Sequence, residues 1–441
     1  MRNFRYIFRL VSAFLGRFKG IFAIGIAFGI LVFLTSRTYL PLFSAKENER
    51  IGIVGRYPLD KLPSSILNLA SEGLTDLNED GSVRSGIASS WETKDNGKTW
   101  IFHLNEAKTW QDGKKITSQN IQITFSDVAV EKPDLKTIIF KLQSPFAPFP
   151  YIVSKPIFRK GFLGNGSWKI KKINVSGSNV EKMILADSFG NRKTYFFYPT
   201  EERAKLAFKL GQIDILSGVF SDNPFDTWKT VKITNTPDYG KYVAIFFNNE
   251  KGKVTSDKSL RQALSYAINK NFSEFPRAIS PISPNSWAYN PQVKPYNYDP
   301  QKAKDMIKEL PKGIMDNLAI TLSVSPVLLS LAEGIQKDWE NLGLKVSIQV
   351  AQGVPDQFDA ILAIFDIPKD PDQYALWHSS QSATNIANYN NPRIDKLLED
   401  GRTEIDQEVR KKIYLDFQRF LVEDSPAVFL YHPASYTITR K

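Results

Sequence analysis

Apolar and polar residues follow two different strand patterns in this chain. Residues 99–104 (TWIFHL) alternate between apolar and polar positions, which predicts a strand with one buried face. Asn96-Gly97, just before them, is a strong hairpin signal because both residues tolerate the positive φ that a two-residue turn requires. Residues 242–247 (YVAIFF) are continuously apolar, which predicts a strand buried on both faces. The pattern therefore indicates short strands joined by tight turns.

Helical periodicity is clearest in residues 258–268. The apolar positions recur at the spacing of one helix face: Leu260, Ala263, Leu264, Ala267 and Ile268. Farther along, a helical segment at 329–342 lies between strands predicted at 320–324 and 345–350. A strand–helix–strand order is typical of α/β folds with a partly parallel sheet, so we predict the α/β class.

The N-terminal region carries a membrane-directed pattern. Residues 20–36 are uncharged and almost wholly apolar, near the lower limit of roughly 17–25 residues for a membrane span. The first 46 residues contain seven basic and no acidic side chains, so the positive-inside rule places the N-terminus in the cytoplasm. We predict a basic cytoplasmic segment at 1–19, a transmembrane signal anchor at 20–43 and an extracytoplasmic body from residue 47.

Two other interpretations of this region remain open. A cleaved signal peptide would end at Ala45, but Phe43 is bulky where a small residue is preferred. A buried core helix fits poorly with the one-sided basic flank.

The composition argues against nucleic-acid binding and excludes cysteine chemistry. The formal net charge of the 441-residue chain is +11, but seven of these charges lie in the first 46 residues, which leaves +4 for the rest. A charge of that size on so large a body is a weak argument for nucleic-acid binding. The chain has no cysteine, which excludes disulfides, thiol nucleophiles and cysteine-ligated metals.

The candidate catalytic residues form no recognisable site. His103, His378 and His432 lack the spacing of a zinc motif, and no G-x-S-x-G sequence is present. We therefore predict no enzymatic activity, no cofactor and no metal. A hydrolase remains an alternative only by default.

The order of motifs in residues 72–126 carries more information than any one of them. An EGL turn is followed by an Asp-Gly turn, a Ser-Trp pair, DNGKTWIFHL, WQDGK and ITSQNI. This succession resembles the family 5 extracytoplasmic solute-binding proteins, the oligopeptide- and dipeptide-binding subunits of ABC importers. The segments RQALSYAINK at 261–270 and NIANYNNPRIDKLL at 385–398 are similar to the same family. The resemblance spans about residues 50–441.

The resemblance implies a large two-lobed fold. We expect the periplasmic-binding-protein-like fold of type II, in its family 5 form, behind the N-terminal transmembrane helix. Lobe I would comprise residues 47–248 and 426–441, with a reduced outer subdomain, and lobe II residues 249–425. The two crossings, near Asn248 and Pro426, would act as hinges.

The resemblance also implies a set of cleft residues. The EGL turn would face the cleft from the first lobe, and the end of a strand would face it from the second. Tyr374 and Trp377 are candidate cleft walls or core residues. The predicted ligand-binding residues are Glu72, Gly73, Leu74, Ile364, Phe365, Asp366, Tyr374 and Trp377.

The anchor for the ligand's amino group is the least regular part of this resemblance. Peptide-binding relatives place an Asp three positions before a later Asp-Pro pair, where it binds the α-ammonium. Here Asp370-Pro371 is that pair and Ile367 stands at the expected position. Either the loop has one extra residue and Asp366 is the anchor, or the anchor is absent.

The implied function is capture of peptides between the lobes and delivery to an ABC permease. Binding would require no metal and no cofactor, and we expect a monomer that does not bind nucleic acid. An extracytoplasmic sensor or scaffold, or a binder of a non-peptide solute such as an oligosaccharide, is the alternative.

Overall fold

The computed structural model describes residues 17–21, 24–25, 28–30, 32, 47–272, 275–315 and 318–441. These fall into two units, residues 1–48 with 189–192 and residues 49–188 with 193–441. Most of the predicted cytoplasmic segment and signal anchor lies outside the described residues. Among those that are described, no helix combines the length and apolar character of a membrane span. The second unit carries the fold.

From residue 47 onward the described chain contains eighteen strands. In chain order they are β1 (Asn48–Val54), β2 (Thr75–Leu77), β3 (Val83–Ser85), β4 (Ala88–Thr93), β5 (Thr99–Leu104), β6 (Ala129–Glu131), β7 (Thr137–Lys141), β8 (Lys169–Ser176), β9 (Asn179–Ala186), β10 (Arg192–Tyr198), β11 (Ile215–Val219), β12 (Val231–Pro237), β13 (Lys241–Phe247), β14 (Ala319–Val324), β15 (Lys345–Val350), β16 (Ala360–Asp366), β17 (Ala427–Tyr431) and β18 (Ala434–Arg440).

The same region contains ten α-helices. They are α1 (Ser64–Ala70), α2 (Phe149–Ile152), α3 (Glu201–Lys209), α4 (Lys258–Ala267), α5 (Pro300–Lys308), α6 (Lys312–Met315), α7 (Leu329–Glu340), α8 (Tyr374–Trp377), α9 (Pro392–Thr403) and α10 (Gln407–Asp424). Several begin at an acidic or amide cap. Asp257 accepts from the Leu260 amide at α4, and Asp299 accepts from the Lys302 amide at α5.

The strands form two large sheets and two smaller ones. The seven-stranded sheet has the order β12-β18-β11-β1-β10-β9-β8, and the five-stranded sheet has the order β15-β14-β16-β13-β17. In the latter, β14 runs parallel to both β15 and β16, so the predicted partly parallel sheet is confirmed. A four-stranded sheet, β4-β5-β7-β6, and the β2–β3 hairpin complete the set.

The passages between the two large sheets differ from those expected from the sequence. β13 pairs with β16 from Lys241↔Asp366 to Phe247↔Ala360, so it belongs to the five-stranded sheet. β17 pairs with β13 in the same sheet. The chain therefore crosses at residues 238–240 and 432–433, and not near Asn248 and Pro426. The apolar run predicted a buried strand, but only hydrogen-bond register decides which sheet receives it.

We define the lobes by this pairing. Lobe I is residues 49–188, 193–237 and 434–441, and lobe II is residues 241–431. The crossings contact each other, since the Asp238 amide donates to the Pro433 carbonyl over 2.9 Å. Lobe II has one large core built on β13, whose residues Tyr242 to Phe247 are almost fully buried. The four-stranded sheet of lobe I has its own aromatic core around Phe102 and Phe140.

Candidate functional site

The lobes touch through backbone groups along one seam. The Trp287 amide of lobe II donates to the Asp80 carbonyl of lobe I over 3.1 Å. The Ala147 amide of lobe I donates to the Arg402 carbonyl of lobe II over 2.7 Å. At Gly81, a Cβ atom would lie 2.3 Å from the Lys369 carbonyl oxygen. The Asp-Gly turn predicted from the sequence thus lies directly against the opposite lobe.

Two cavities open along this seam. The first cavity, about 430 Å³, has Trp91 and Tyr151 of lobe I on one side and Trp287 and Arg410 of lobe II on the other. The second cavity, about 550 Å³, lies between a wall of lobe I that includes Phe146 and side chains of α8 and α9. Aromatic walls with a few polar groups are typical of sites for small molecules and peptides.

Two smaller cavities surround the loop after β16. They measure about 210 and 280 Å³ and share Ile367, Pro368 and Lys369 as lining residues. Lobe I contributes the turn at residues 79–81 to one of them and residues 151–156 to the other. Residues 367–369 of this loop therefore face lobe I.

Two ion pairs, of which one is buried, stabilise this wall of lobe II. The Arg410 guanidinium donates to both oxygens of Asp370, over 2.9 and 2.6 Å, and their side chains are 8 and 6% exposed. Burial alone would lower the pKa of Arg410, but the Asp370 carboxylate raises it, and the net direction is upward. Arg402 binds Asp372 over 3.1 Å. Burial raises the pKa of Asp372, against the effect of Arg402.

The charge of Asp370 also affects Tyr151, which belongs to lobe I. Burial and the Asp370 carboxylate both raise the pKa of the Tyr151 phenol. The hydroxyl therefore stays protonated at neutral pH and remains a hydrogen-bond donor at the edge of the first cavity.

The predicted EGL residues are mainly part of the scaffold. Glu72 binds Lys108 and accepts from the Asn165 amide over 2.8 Å, all within lobe I. A Cβ at Gly73 would lie 2.4 Å from the Ser154 carbonyl carbon, so this position requires glycine for close backbone packing. Leu74 is fully buried in the core of the four-stranded sheet and does not face the cleft.

The end of β16 has mixed exposure. Ile364 and Phe365 pack on the core of lobe II, and the Phe365 ring stacks on Tyr242 with centroids 5.9 Å apart. Asp366 is 85% exposed and lies 3.4 Å from the Lys241 ammonium. Lys241 also binds Asp238 over 3.0 Å, so one ammonium serves two carboxylates.

The two aromatic residues predicted as candidate cleft walls, Tyr374 and Trp377, have different environments. Tyr374 lines the second cavity, where its ring stacks on His378 at 4.0 Å and Arg402 lies over it at 4.2 Å. Trp377 is fully buried and stacks on Phe246 at 5.8 Å, so it is a core residue. Of the eight predicted residues, only Tyr374 lines one of the four cavities described above.

Several cavity residues were not predicted as such. Trp91 and Trp100 stand inside the quoted motifs, and Asp370 is the Asp of the Asp-Pro pair, so their signals were present. Trp287 lies in a segment without helical or strand periodicity, and nothing in the sequence marks it. In the described parts of the chain, no group of three or more His, Cys, Asp or Glu side chains could hold a metal ion.

A family profile matches this architecture. The profile for bacterial extracellular solute-binding proteins, family 5 (middle part), covers residues 82–184 and 191–386, more than half of the chain. The chain belongs to this family. The resemblance seen in the motifs of residues 72–126 is thereby confirmed.

Individual proteins align over most of the chain. The oligopeptide-binding protein AppA of Bacillus subtilis (strain 168) is 25% identical over 460 aligned positions, covering 86% of this chain and 84% of AppA. The crystal structure of AppA with a nonapeptide has a TM-score of 0.66 at 21% identity, over 90% of this chain and 95% of that one.

A second solved structure supports the fold with a different ligand. NikZ of Campylobacter jejuni, in complex with Ni(L-His), has a TM-score of 0.70 at 24% identity, over 90% of this chain and 94% of that one. Together these neighbours confirm the two-lobed periplasmic-binding-protein fold predicted from the sequence.

Proposed function

We propose that this protein captures peptides between its two lobes and delivers them to an ABC permease, without catalysis. The observation that carries the proposal is the pair of aromatic-walled cavities between the lobes of a family 5 fold. The relative named as oligopeptide-binding, and the neighbour solved with a nonapeptide, support peptides as the ligand class.

Capture requires the lobes to separate and close. The crossings at residues 238–240 and 432–433 are short, so small backbone rotations there would move one lobe against the other. Closure would bring Trp287 against the Asp80 turn and would surround the ligand with the aromatic side chains of both lobes. The closed form would be the one that the permease receives.

Of the two alternatives for the α-ammonium anchor, we propose that Asp366 is the anchor. Its carboxylate is exposed, and Lys241, the one cation within 4 Å of it among the described residues, is shared with Asp238. The three groups together carry a net negative charge, which favours an incoming ammonium. Replacing Asp366 with Asn is expected to weaken binding of peptides with a free amino terminus, and not of N-acetylated ones.

We further propose that residues 20–43 anchor the protein in the membrane as a single-pass helix, with the body outside the cytoplasm and monomeric. The apolar segment and its basic flank support this arrangement. Mass determination of the mature protein from its host membrane would test it, because removal of the first 45 residues would leave no anchor.

Thermal unfolding of the purified protein tests the central proposal. A ligand that binds only the folded state at 100 times its Kd stabilises it by about 2.7 kcal/mol, so a peptide pool should raise Tm. Stabilisation by nickel–histidine or by oligosaccharides, with no response to peptides, would overturn the assignment of ligand class.

A further inference from the structure

The charged groups at the first and second cavities differ in how they are paired. Each arginine that lines them already binds a carboxylate of its own lobe. Arg410, at the first cavity, binds Asp370 through two hydrogen bonds. Arg402, at the second, binds Asp372. These cations are neutralised within lobe II and offer little net charge to a ligand.

The carboxylates at the same cavities are not neutralised in this way. Glu92 and Glu404 line the first cavity, and Asp127 and Glu399 line the second. Among the described residues, no lysine or arginine forms an ion pair with any of these four. Their nearest basic partners are histidines in two cases, at 3.9 Å from Glu92 and 3.4 Å from Glu399. Each cavity therefore has two carboxylates that form no ion pair with a described lysine or arginine, although Lys396 interacts electrostatically with Glu399.

This pattern is opposite to the charge of the rest of the body. The chain beyond residue 46 has a formal charge of +4, yet both of these interlobe cavities are acidic. The first cavity also has the Trp91 ring in its wall. Carboxylates beside aromatic rings attract cations both by charge and by the quadrupole of the ring.

We propose that the two cavities select peptides with basic side chains, lysine or arginine, over neutral and acidic ones. The inference rests on the proposed function and names the class of peptide that the cleft takes. It concerns side-chain charge only. Asp366, the proposed site for the α-ammonium, lies outside both cavities, so the two effects are separable.

Three peptides of equal length isolate the effect of side-chain charge. Ala-Lys-Ala-Lys-Ala, Ala-Gln-Ala-Gln-Ala and Ala-Glu-Ala-Glu-Ala share the same free termini and backbone. Affinities are measured by isothermal titration calorimetry with the full chain at low salt. We expect the lysine peptide to bind at least about tenfold tighter than the glutamine peptide, and the glutamate peptide to bind weakest. The preference should shrink at high salt because the charges are screened.

Two double variants assign the preference to the cavities. Glu92→Gln/Glu404→Gln alters the first cavity, and Asp127→Asn/Glu399→Gln alters the second, with little change in side-chain volume. Each is expected to reduce the lysine preference to a few-fold. Glu340→Gln, at the exposed end of α7, removes a charge outside both cavities and is expected to leave the preference unchanged. Thermal melts establish that each variant is folded before binding is measured.

The outcomes are distinct. Equal affinity for all three peptides would overturn the inference and leave peptide capture intact. A lysine preference that survives in both folded double variants would overturn the assignment to these carboxylates. If none of the peptides bind, peptide capture itself is wrong and the inference fails with it.

Discussion

Gly81 brings the backbone of lobe I against the Lys369 carbonyl of lobe II. Its φ of +82° is in the left-handed region, and a Cβ atom there would lie 2.3 Å from that oxygen. Only glycine combines this backbone conformation with so close an approach. The residue was visible in the sequence as a turn, but its contact with the other lobe was not.

The substitution Gly81→Ala is expected to weaken peptide binding by about tenfold or more, because a displacement costing roughly 1.4 kcal/mol at the seam is enough for that loss. Gly113→Ala is the matched control. It lies in another Asp-Gly turn with φ of +80° and has no atom within 4 Å of the added Cβ. Both variants share the local backbone strain, so similar binding by the two would contradict the role of Gly81. Calorimetry with one peptide measures the difference.

Arg410 and Asp370 form a buried pair whose members depend on each other. Arg410→Met leaves the Asp370 carboxylate buried without its partner, and we expect a loss of about 3–5 kcal/mol in the free energy of unfolding. The double variant Arg410→Met/Asp370→Asn should recover part of that loss, since it removes the uncompensated charge.

Arg419→Met is the control for this pair. Arg419 binds Asp416 on the exposed face of α10, where an ion pair contributes only up to about 1 kcal/mol. Urea denaturation gives all three free energies. A loss for Arg410→Met no larger than that for Arg419→Met would show that the buried pair does not stabilise the wall of lobe II.

At the scale of elements, α9 and α10 pack closely at a glycine in the last turn of α9. A Cβ at Gly401 would lie 2.8 Å from the Tyr414 ring, which is fully buried in α10. The Arg410 guanidinium also donates to the Gly401 carbonyl over 2.7 Å. Helix propensity favours alanine at such a position, but packing against Tyr414 excludes it.

Gly401→Ala is therefore expected to destabilise the protein by about 1–3 kcal/mol through overpacking. Gly334→Ala in α7 is the contrasting case, because no atom lies within 4 Å of its added Cβ. There the gain in helix propensity should stabilise the protein by up to about 1 kcal/mol. Chemical denaturation that gave the same sign for both substitutions would contradict the packing argument.

At the scale of the whole molecule, the two lobes are connected by crossings that share a buried histidine. His432 Nδ1 lies 2.7 Å from the Lys241 carbonyl, and the His432 ring packs on Tyr239 at 5.2 Å. The pKa of His432 is below its ordinary value of 6.5 because burial disfavours the charged ring, with Arg277 acting in the same direction. The Lys241 carbonyl and Asp238 act in the opposite direction but do not reverse it.

Stability should therefore depend on pH through His432. Since its folded pKa is depressed, the unfolded chain binds more protons near pH 6.5, and stability is lost as the pH falls below that value. His432→Asn keeps an N–H donor near Nδ1 and should flatten the fall in Tm between about pH 6.5 and 5. His103→Gln, whose wild-type side chain is 46% exposed, should leave the fall unchanged. If the fall in Tm at acid pH is as steep in His432→Asn as in the wild type, groups other than His432 cause it.

Local sequence determined much of this protein. Alternation, apolar runs and helical spacing predicted the strands and helices correctly, because these patterns reflect which face of an element is buried. The succession of motifs between residues 72 and 126 identified the family. Those motifs encode turns and core packing, and so they specified the scaffold more than the site, as Gly73 and Leu74 show.

Only the tertiary structure decided where the lobes divide and which side chains meet between them. β13 joins lobe II through its hydrogen-bond register with β16, and no periodicity encodes that choice. The first cavity joins Trp91 to Trp287 across nearly two hundred residues. Whether a charge is neutralised by a neighbour likewise depends on distances between remote residues, so the paired arginines and unpaired carboxylates of the cavities became visible only in three dimensions.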